Sequence, residues 1–179
     1  MNLDPIRRVL DPLDIRYALI GGHALAARGY PRFTVDIDLL TTDGRVLDQR
    51  LWASLVGQGA TVDARRGDDD DPLAGVVHVL LPDGTDVDVV VGRWAWERRL
   101  IERAERVVVA PGVDIPVPAT SDLILLKLAA GGFADLQDAA ALLAAGERAS
   151  LVVEVESRLA EVRPDVHATW QQLLERTAE

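Results

Sequence analysis

Asp36 and Asp38 stand two residues apart in the run Arg32-Phe-Thr-Val-Asp-Ile-Asp-Leu-Leu40, and a third carboxylate, Asp88, follows in Thr85-Asp-Val-Asp-Val-Val-Val91. Positions two apart on a strand project to one face. An extended segment over 34–41 therefore presents Asp36 and Asp38 together and sends Val35, Ile37 and Leu39 into an apolar layer. Neighbouring carboxylates repel each other unless a positive charge stands between them. A divalent cation is the usual resolution. With Asp88 on an adjacent strand, three hard oxygen donors converge, a set that suits Mg²⁺ with room left for water and phosphate oxygens. Two such ions bridged by a carboxylate can activate an attacking hydroxyl and stabilise a leaving pyrophosphate. Asp86 shares the face of Asp88, but Asp88 is more deeply flanked by apolar residues, which favours it as the ligand and leaves Asp86 as a solvating strand-end residue.

Upstream, Leu19-Ile-Gly-Gly-His-Ala-Leu25 reads as the end of a strand, a diglycine turn and the start of a helix. Bare backbone N–H groups and the positive end of a helix can together meet a triphosphate, so Gly21 and Gly22 supply a part complementary to the carboxylates. His23 falls at the helix start beside that pocket. Arg32 can contact phosphates or hold the Asp pair by an ion pair. Lys127, set among Leu125, Leu126 and Leu128, must bring its ammonium out of an apolar surface. Asp135 and Asp138, about one helical turn apart, can pair with Lys127 or Arg32 or face solvent. Trp94 and Trp96 can stack on a base, although core packing is the commoner use of such residues. His78 and His167 read as incidental.

These residues need a sheet with helices around it. Pro5 to Leu13 has helical spacing, Arg16 to Ile20 reads as a strand, and His23 to Arg28 as a helix stopped by Gly29 and Pro31. Thr34 to Thr41 is the strand of the Asp pair, and Asp43 to Val56 is predicted as one amphipathic helix burying Val46, Leu47, Leu51, Leu55 and Val56. Strands follow over 61–65, 76–81 and 85–91, the last two joined by a hairpin turn at Pro82-Asp-Gly84. A helix over 94–104 precedes a hairpin over 106–117 that turns at Pro111-Gly112. Near residue 119 the pattern becomes all-helical, with helices over 121–130, 134–145, 150–163 and 166–176. The expectation is an α/β (α+β) fold: a mixed β-sheet flanked by helices over 1–118, and a helical C-terminal region over 119–179 that closes a cleft.

At 179 residues the chain has room for one well-cored domain with a helical appendage. With no cysteine, disulfides, thiolate zinc sites and cysteine nucleophiles are excluded, and three scattered histidines argue against a histidine-rich metal centre. No leader-like segment or membrane-length apolar window is present, which predicts a cytoplasmic protein that does not engage a membrane. The net charge of -10 argues against a broad nucleic-acid surface, because such binding depends on Lys and Arg neutralising phosphates.

Gly21-Gly22, then Arg32-x-Thr34-x-Asp36-x-Asp38, then Asp88 in Val-Asp-Val-Val, with a later helical Lys127-Leu128 followed by Asp135 and Asp138, resembles the nucleotidyltransferase superfamily of the polymerase-β type. Within it, the nearest likeness is to AbiEii-like nucleotidyltransferases of bacterial toxin–antitoxin systems. The resemblance covers about residues 15 to 145. It implies that Asp36, Asp38 and Asp88 are catalytic and bind metal, Mg²⁺ as two ions with Mn²⁺ as a substitute, and that Gly21, Gly22, His23, Arg32, Thr34 and Lys127 bind the nucleotide. The implied reaction moves a nucleoside monophosphate from an NTP to a tRNA 3′ end or a protein side chain, in a toxin–antitoxin or phage-defence system with a cognate toxin or antitoxin partner. Alternatives are an antitoxin-like binding module of weak or no activity, and transfer to a small-molecule antibiotic. Two departures stand out. His23 occupies the position after the glycines where many relatives have Ser, and Gly131-Gly132-Phe133-Ala134 replaces the basic residues that often precede Asp135.

Overall fold

Alternation of apolar and polar side chains builds the centre of the molecule. In the computed structural model, which describes residues 1–177, five strands make one mixed sheet. They are β1 (Ala18–Ile20), β2 (Ile37–Thr41), β3 (Thr61–Arg66), β4 (Leu73–Leu80) and β5 (Asp86–Gly92), ordered β1-β2-β5-β4-β3. β2 and β5 run parallel, and the other neighbouring pairs are antiparallel. Ile37, Leu39, Val77, Val79, Val87 and Val89 are buried on one face, each such side chain stabilising the fold by roughly 1.5–3 kcal/mol. The opposite face is polar along one rung. The register sets Asp63 beside His78, His78 beside Asp88, and Asp88 beside Asp38, on four adjacent strands.

Around the sheet lie α1 (Asp4–Leu10), α2 (Gly21–Ala27), α3 (Ala53–Val56) and α4 (Ala95–Glu102), with a separate hairpin of β6 (Glu105–Ala110) and β7 (Val113–Val117). The helical region comprises α5 (Thr120–Ala130), α6 (Phe133–Ala145), α7 (Arg148–Arg158) and α8 (Pro164–Arg176). Its Leu125, Leu142 and Trp170 belong to the same apolar cluster as Val89 of the sheet. Two polar ties reinforce the join. Arg103, just after α4, pairs with the fully buried Asp122 of α5 at 2.6 Å, and Arg28 donates to the carbonyls of Val117 and Pro118. Among the described residues no helix is long and apolar enough to cross a membrane.

Two segments depart from expectation. The single helix over 43–56 is replaced by 3-10 turns at Gly44–Leu47 and Gln49–Trp52 followed by the short α3. Asp43 and Asp48 are both extended, and their carboxylates accept from the amides of Arg45 and Arg50, so each starts a new turn instead of continuing the last. Val46, Leu47 and Leu55 are still buried, whereas Val56 is exposed. The strand of the Asp pair begins at Ile37, not Thr34. Its partners explain this: β1 has three residues, and pairing with β5 starts at Ile37 opposite Val87. Val35, expected inside, is 67% exposed, and Asp36 lies in a bend just before the strand.

Candidate active site

Asp38 and Asp88 are direct neighbours on parallel strands. Asp36 reaches the same place from the bend, close enough that it and Asp88 both act on the Asp38 carboxyl. Burial first, then these two like charges, push the Asp38 pKa from 3.8 up to about 6, against the weaker pull of Lys127 and Arg32. Among the described residues neither Asp36 nor Asp38 forms an ion pair. A half-buried, uncompensated carboxylate beside two others is the kind of oxygen-only set that a hard divalent ion would relieve, although among the described residues the donor atoms that already lie within 4.8 Å of one another are those of His78, Asp86 and Asp88.

The glycines act first by letting this geometry exist. Gly21 has φ +63, and a Cβ there would lie 1.9 Å from Asp38 Oδ2. A Cβ on Gly22 would come within 2.8 Å of the Thr34 side chain. Thr34 thus seats the loop that delivers Asp36 against the start of α2, and its hydroxyl donates to the Asp36 carbonyl at 3.3 Å. The same loop is tied to α6 by an ion pair from Arg32 to Asp138.

Lys127 of α5 completes this polar cluster. Its Nζ lies 2.8 Å from Asp135 Oδ1 and 2.9 Å from Asp138 Oδ2. Burial lowers its pKa, and the hydrogen bonds that its ammonium donates to the two carboxylates outweigh that and raise it. Asp135 and Asp138 therefore pair with Lys127 and Arg32; they do not simply face solvent. His23 stands apart. It lines a shallow depression with Met1, Val35, Ile37 and the 83–85 turn, on the side of β2 opposite Asp38, and burial followed by the N-terminal charge lowers its pKa.

Two hollows meet at the carboxylates. One, of about 400 Å³, lies between sheet and helices and is lined by Gly21, Asp38, Trp94, Trp96, Lys127 and Asp135 among others. Both tryptophans thus face the cavity; Trp96 is almost wholly buried, and its indole N–H has no partner among the described residues. The other, of about 570 Å³, lies over β3 and β4 and is lined by Asp63, Arg65, Arg66, Asp71, His78 and Asp88.

His78, read as incidental from the sequence, is part of this rung. Its Nδ1 lies 2.9 Å from Asp88 Oδ1 and 3.2 Å from Asp86 Oδ1, and the donor atoms of the three residues all lie within 4.8 Å of one another, close enough to hold a metal ion. The hydrogen bond to Asp88 raises the imidazole pKa, against the effect of burial and with help from the charges of Asp86, Asp88 and Asp63. The signal for it was available: a hairpin centred on Asp83 pairs residues whose numbers sum to 166, as Leu80 with Asp86, and 78 pairs with 88.

The same arrangement of sheet and helices occurs in the antibiotic-resistance factor ANT(2″)-Ia. Its solution structure matches with a TM-score of 0.55 at 16% identity, covering 97% of this chain and 95% of that one. This chain shares the fold of that protein. A crystal structure of ANT(2″)-Ia in complex with adenylyl-2″-tobramycin matches with a TM-score of 0.54 at 18% identity, over 87% of this chain and 95% of that one. No protein-family model matches the sequence, and no curated protein does.

Proposed function

We propose that the protein is a Mg²⁺-dependent nucleotidyltransferase that moves a nucleoside monophosphate from an NTP to a hydroxyl of a small-molecule acceptor, releasing pyrophosphate. The observation that carries this reading is the position of the neighbouring Asp38 and Asp88 at the meeting of two hollows, Asp38 lining one and Asp88 the other. The hollow between sheet and helices would take the NTP, its triphosphate near Gly21, Lys127 and Arg32 and its base toward Trp94 and Trp96. The hollow over β3 and β4 would take the acceptor.

Asp36, Asp38 and Asp88 would hold Mg²⁺, with Mn²⁺ as a substitute, which when bound neutralises the triphosphate and polarises the reacting phosphorus. The chain's own residues orient the rest. Asp88, which lines the hollow proposed for the acceptor, would receive the proton of the attacking hydroxyl. Lys127 would turn from Asp135 and Asp138 to the phosphates, and Arg32 would do the same from Asp138, while α5 and α6 cover the cavity and exclude water. Likeness of fold to a protein solved with adenylyl-2″-tobramycin favours a small acceptor over a tRNA 3′ end or a partner protein. No separate observation favours a toxin–antitoxin role.

The test is incubation with each labelled NTP and Mg²⁺ against hydroxyl-bearing antibiotics, tRNA and cell-lysate protein in parallel. Label in a small molecule with stoichiometric pyrophosphate, lost in Asp36→Ala and Asp38→Ala, is the expected result. Label in RNA or protein would transfer the reading to those acceptors. Absence of NTP binding by calorimetry would leave a binding module.

A further inference from the structure

We propose that His78, Asp86 and Asp88 form a second cation site, one that takes a nitrogen-accepting divalent ion of the Zn²⁺ type and shares Asp88 with the Asp36–Asp38 pair. Sheet register builds the site before any ion arrives. His78 faces Asp88 directly across β4 and β5, and Asp86 lies two residues along on the same face. Both neighbours therefore crowd one imidazole nitrogen, Nδ1, at 2.9 Å from Asp88 Oδ1 and 3.2 Å from Asp86 Oδ1.

Those separations are the edges of a coordination shell. With metal–ligand bonds of about 2.0–2.1 Å, donor atoms stand roughly 3.3 Å apart in a tetrahedron and roughly 3.0 Å apart in an octahedron. The third edge, between the two carboxylates, is no longer than 4.8 Å, so closing the shell on an ion would draw the carboxylates together. Asp86 Oδ1 supplies a second, independent sign: it is buried and accepts no hydrogen bond among the described residues. The nearest donor, His78 Nδ1 at 3.2 Å, is engaged by Asp88 at 2.9 Å, and a cation would satisfy this oxygen together with the other two donors.

The donor set also selects the ion. Mg²⁺ strongly prefers oxygen and keeps its water, whereas imidazole plus two carboxylates suits Zn²⁺, Co²⁺ or Mn²⁺. All three side chains remain partly exposed, which leaves a path in and an open coordination position. A Zn²⁺ ion held here draws Asp88 away from Asp38 and stands at the edge of the hollow that His78 and Asp88 both line. It would inhibit transfer by competing with the acceptor. That last consequence rests on the proposed function; ion binding itself does not.

The experiment uses the whole, nucleotide-free protein titrated with Zn²⁺, followed by calorimetry and by NMR of the imidazole nitrogens. One saturable event should shift the His78 ring signals and leave those of His23 and His167 in place. The event should persist in Asp38→Asn and weaken at least about tenfold in both His78→Gln and Asp86→Asn, while their Mg²⁺ titrations stay as in the parent. Unmoved His78 signals, or full Zn²⁺ affinity in His78→Gln, would overturn the proposal. Should His78→Gln fail to fold, Asp86→Asn and the parent spectrum decide it. A protein that transfers nothing yet shows the His78 shift keeps this site and loses the proposed function, so the two readings fail separately.

Discussion

At the scale of single residues, Asp38 sets activity and stability against each other. Its folded pKa of about 6 lies above the ordinary 3.8, so the folded protein holds that proton more tightly than the unfolded chain does. The stability tied to it is complete below pH about 4 and is lost as pH rises through about 6. Asp38→Asn should therefore raise the melting temperature of the metal-free protein at pH 8, by the equivalent of about 1–2 kcal/mol after allowance for solvent on the exposed side, and leave it unchanged near pH 4. The same variant should lose transfer activity at least about a thousandfold. A thermal scan at both pH values with and without Mg²⁺ reads both halves: Mg²⁺ should stabilise the parent and not Asp38→Asn. An equal rise at both pH values would show that Asp38 carries no charge strain. In the parent, Mg²⁺ affinity should fall below pH 6, because protons then compete with the ion for this carboxylate.

At the scale of elements, the join between β1 and α2 is set by contact with Asp38. Gly21 combines a left-handed φ with a Cβ position that Asp38 Oδ2 already occupies. Gly21→Ala should cost about 2 kcal/mol or more and displace Asp38, lowering kcat with little change in far-ultraviolet circular dichroism. Unchanged kcat would mean that Asp38 has room to yield. The sequence made this element legible in part. A diglycine between an apolar strand and an Ala-rich helix announces a tight turn, but that Asp38 needs the space depends on β1 pairing with β2, which no local pattern states. The strand with Val87, Val89 and Val91 inward was readable from alternation, and it carries Asp88 where expected. The bend at Asp36 was not readable, because alternation over 34–41 continues past the point where partner strands run out. The helix over 43–56 was misread for a related reason. Its apolar spacing is helical, yet Asp43 and Asp48 each offer the backbone a local carboxylate acceptor that competes with the helix. The Asp135–Asp138–Lys127–Arg32 cluster was visible only as a set of choices, since helix spacing brings the two acids together without saying what lies opposite.

A buried charge pair reinforces the apolar join between the sheet and the helical region. Asp122 is fully buried and meets Arg103 at 2.6 Å, with Arg158 more distant at 3.9 Å. Replacing Asp122 by Ala leaves the partly exposed Arg103 with Glu161 at 3.4 Å as its remaining partner, so the loss should fall below the roughly 3–5 kcal/mol typical of breaking a fully buried pair. Because α5 carries both Asp122 and Lys127, the loss should reach the cavity: Asp122→Asn, a milder change, should raise the KM for NTP more than it lowers kcat. Denaturant melts and steady-state kinetics on the pair of variants check this, and an unchanged KM would mean that the apolar contacts of α5 alone position Lys127.

At the scale of the whole molecule, charge decides which acceptors can approach. A chain with a net charge of -10 repels polyanions at long range and draws cations toward it. The hollow proposed for the acceptor is nearly balanced in itself, with Asp63, Asp71 and Asp88 set against Arg65, Arg66 and His78 and with Asp63 pairing Arg65 at 2.7 Å, so the attraction comes from the molecule as a whole. Attraction of this kind acts over a Debye length, about 10 Å at 0.1 M salt and 30 Å at 0.01 M. Raising salt from low to physiological strength should therefore lower kcat/KM for a polycationic acceptor several-fold through its association rate, and change it little for a neutral acceptor bearing the same hydroxyl. A tRNA acceptor would show the opposite slope, gaining from salt as repulsion is screened. The slope thus identifies the acceptor's charge before its structure is known, and a flat slope for every acceptor would show that encounter is governed by the walls of the hollow and not by the field of the molecule.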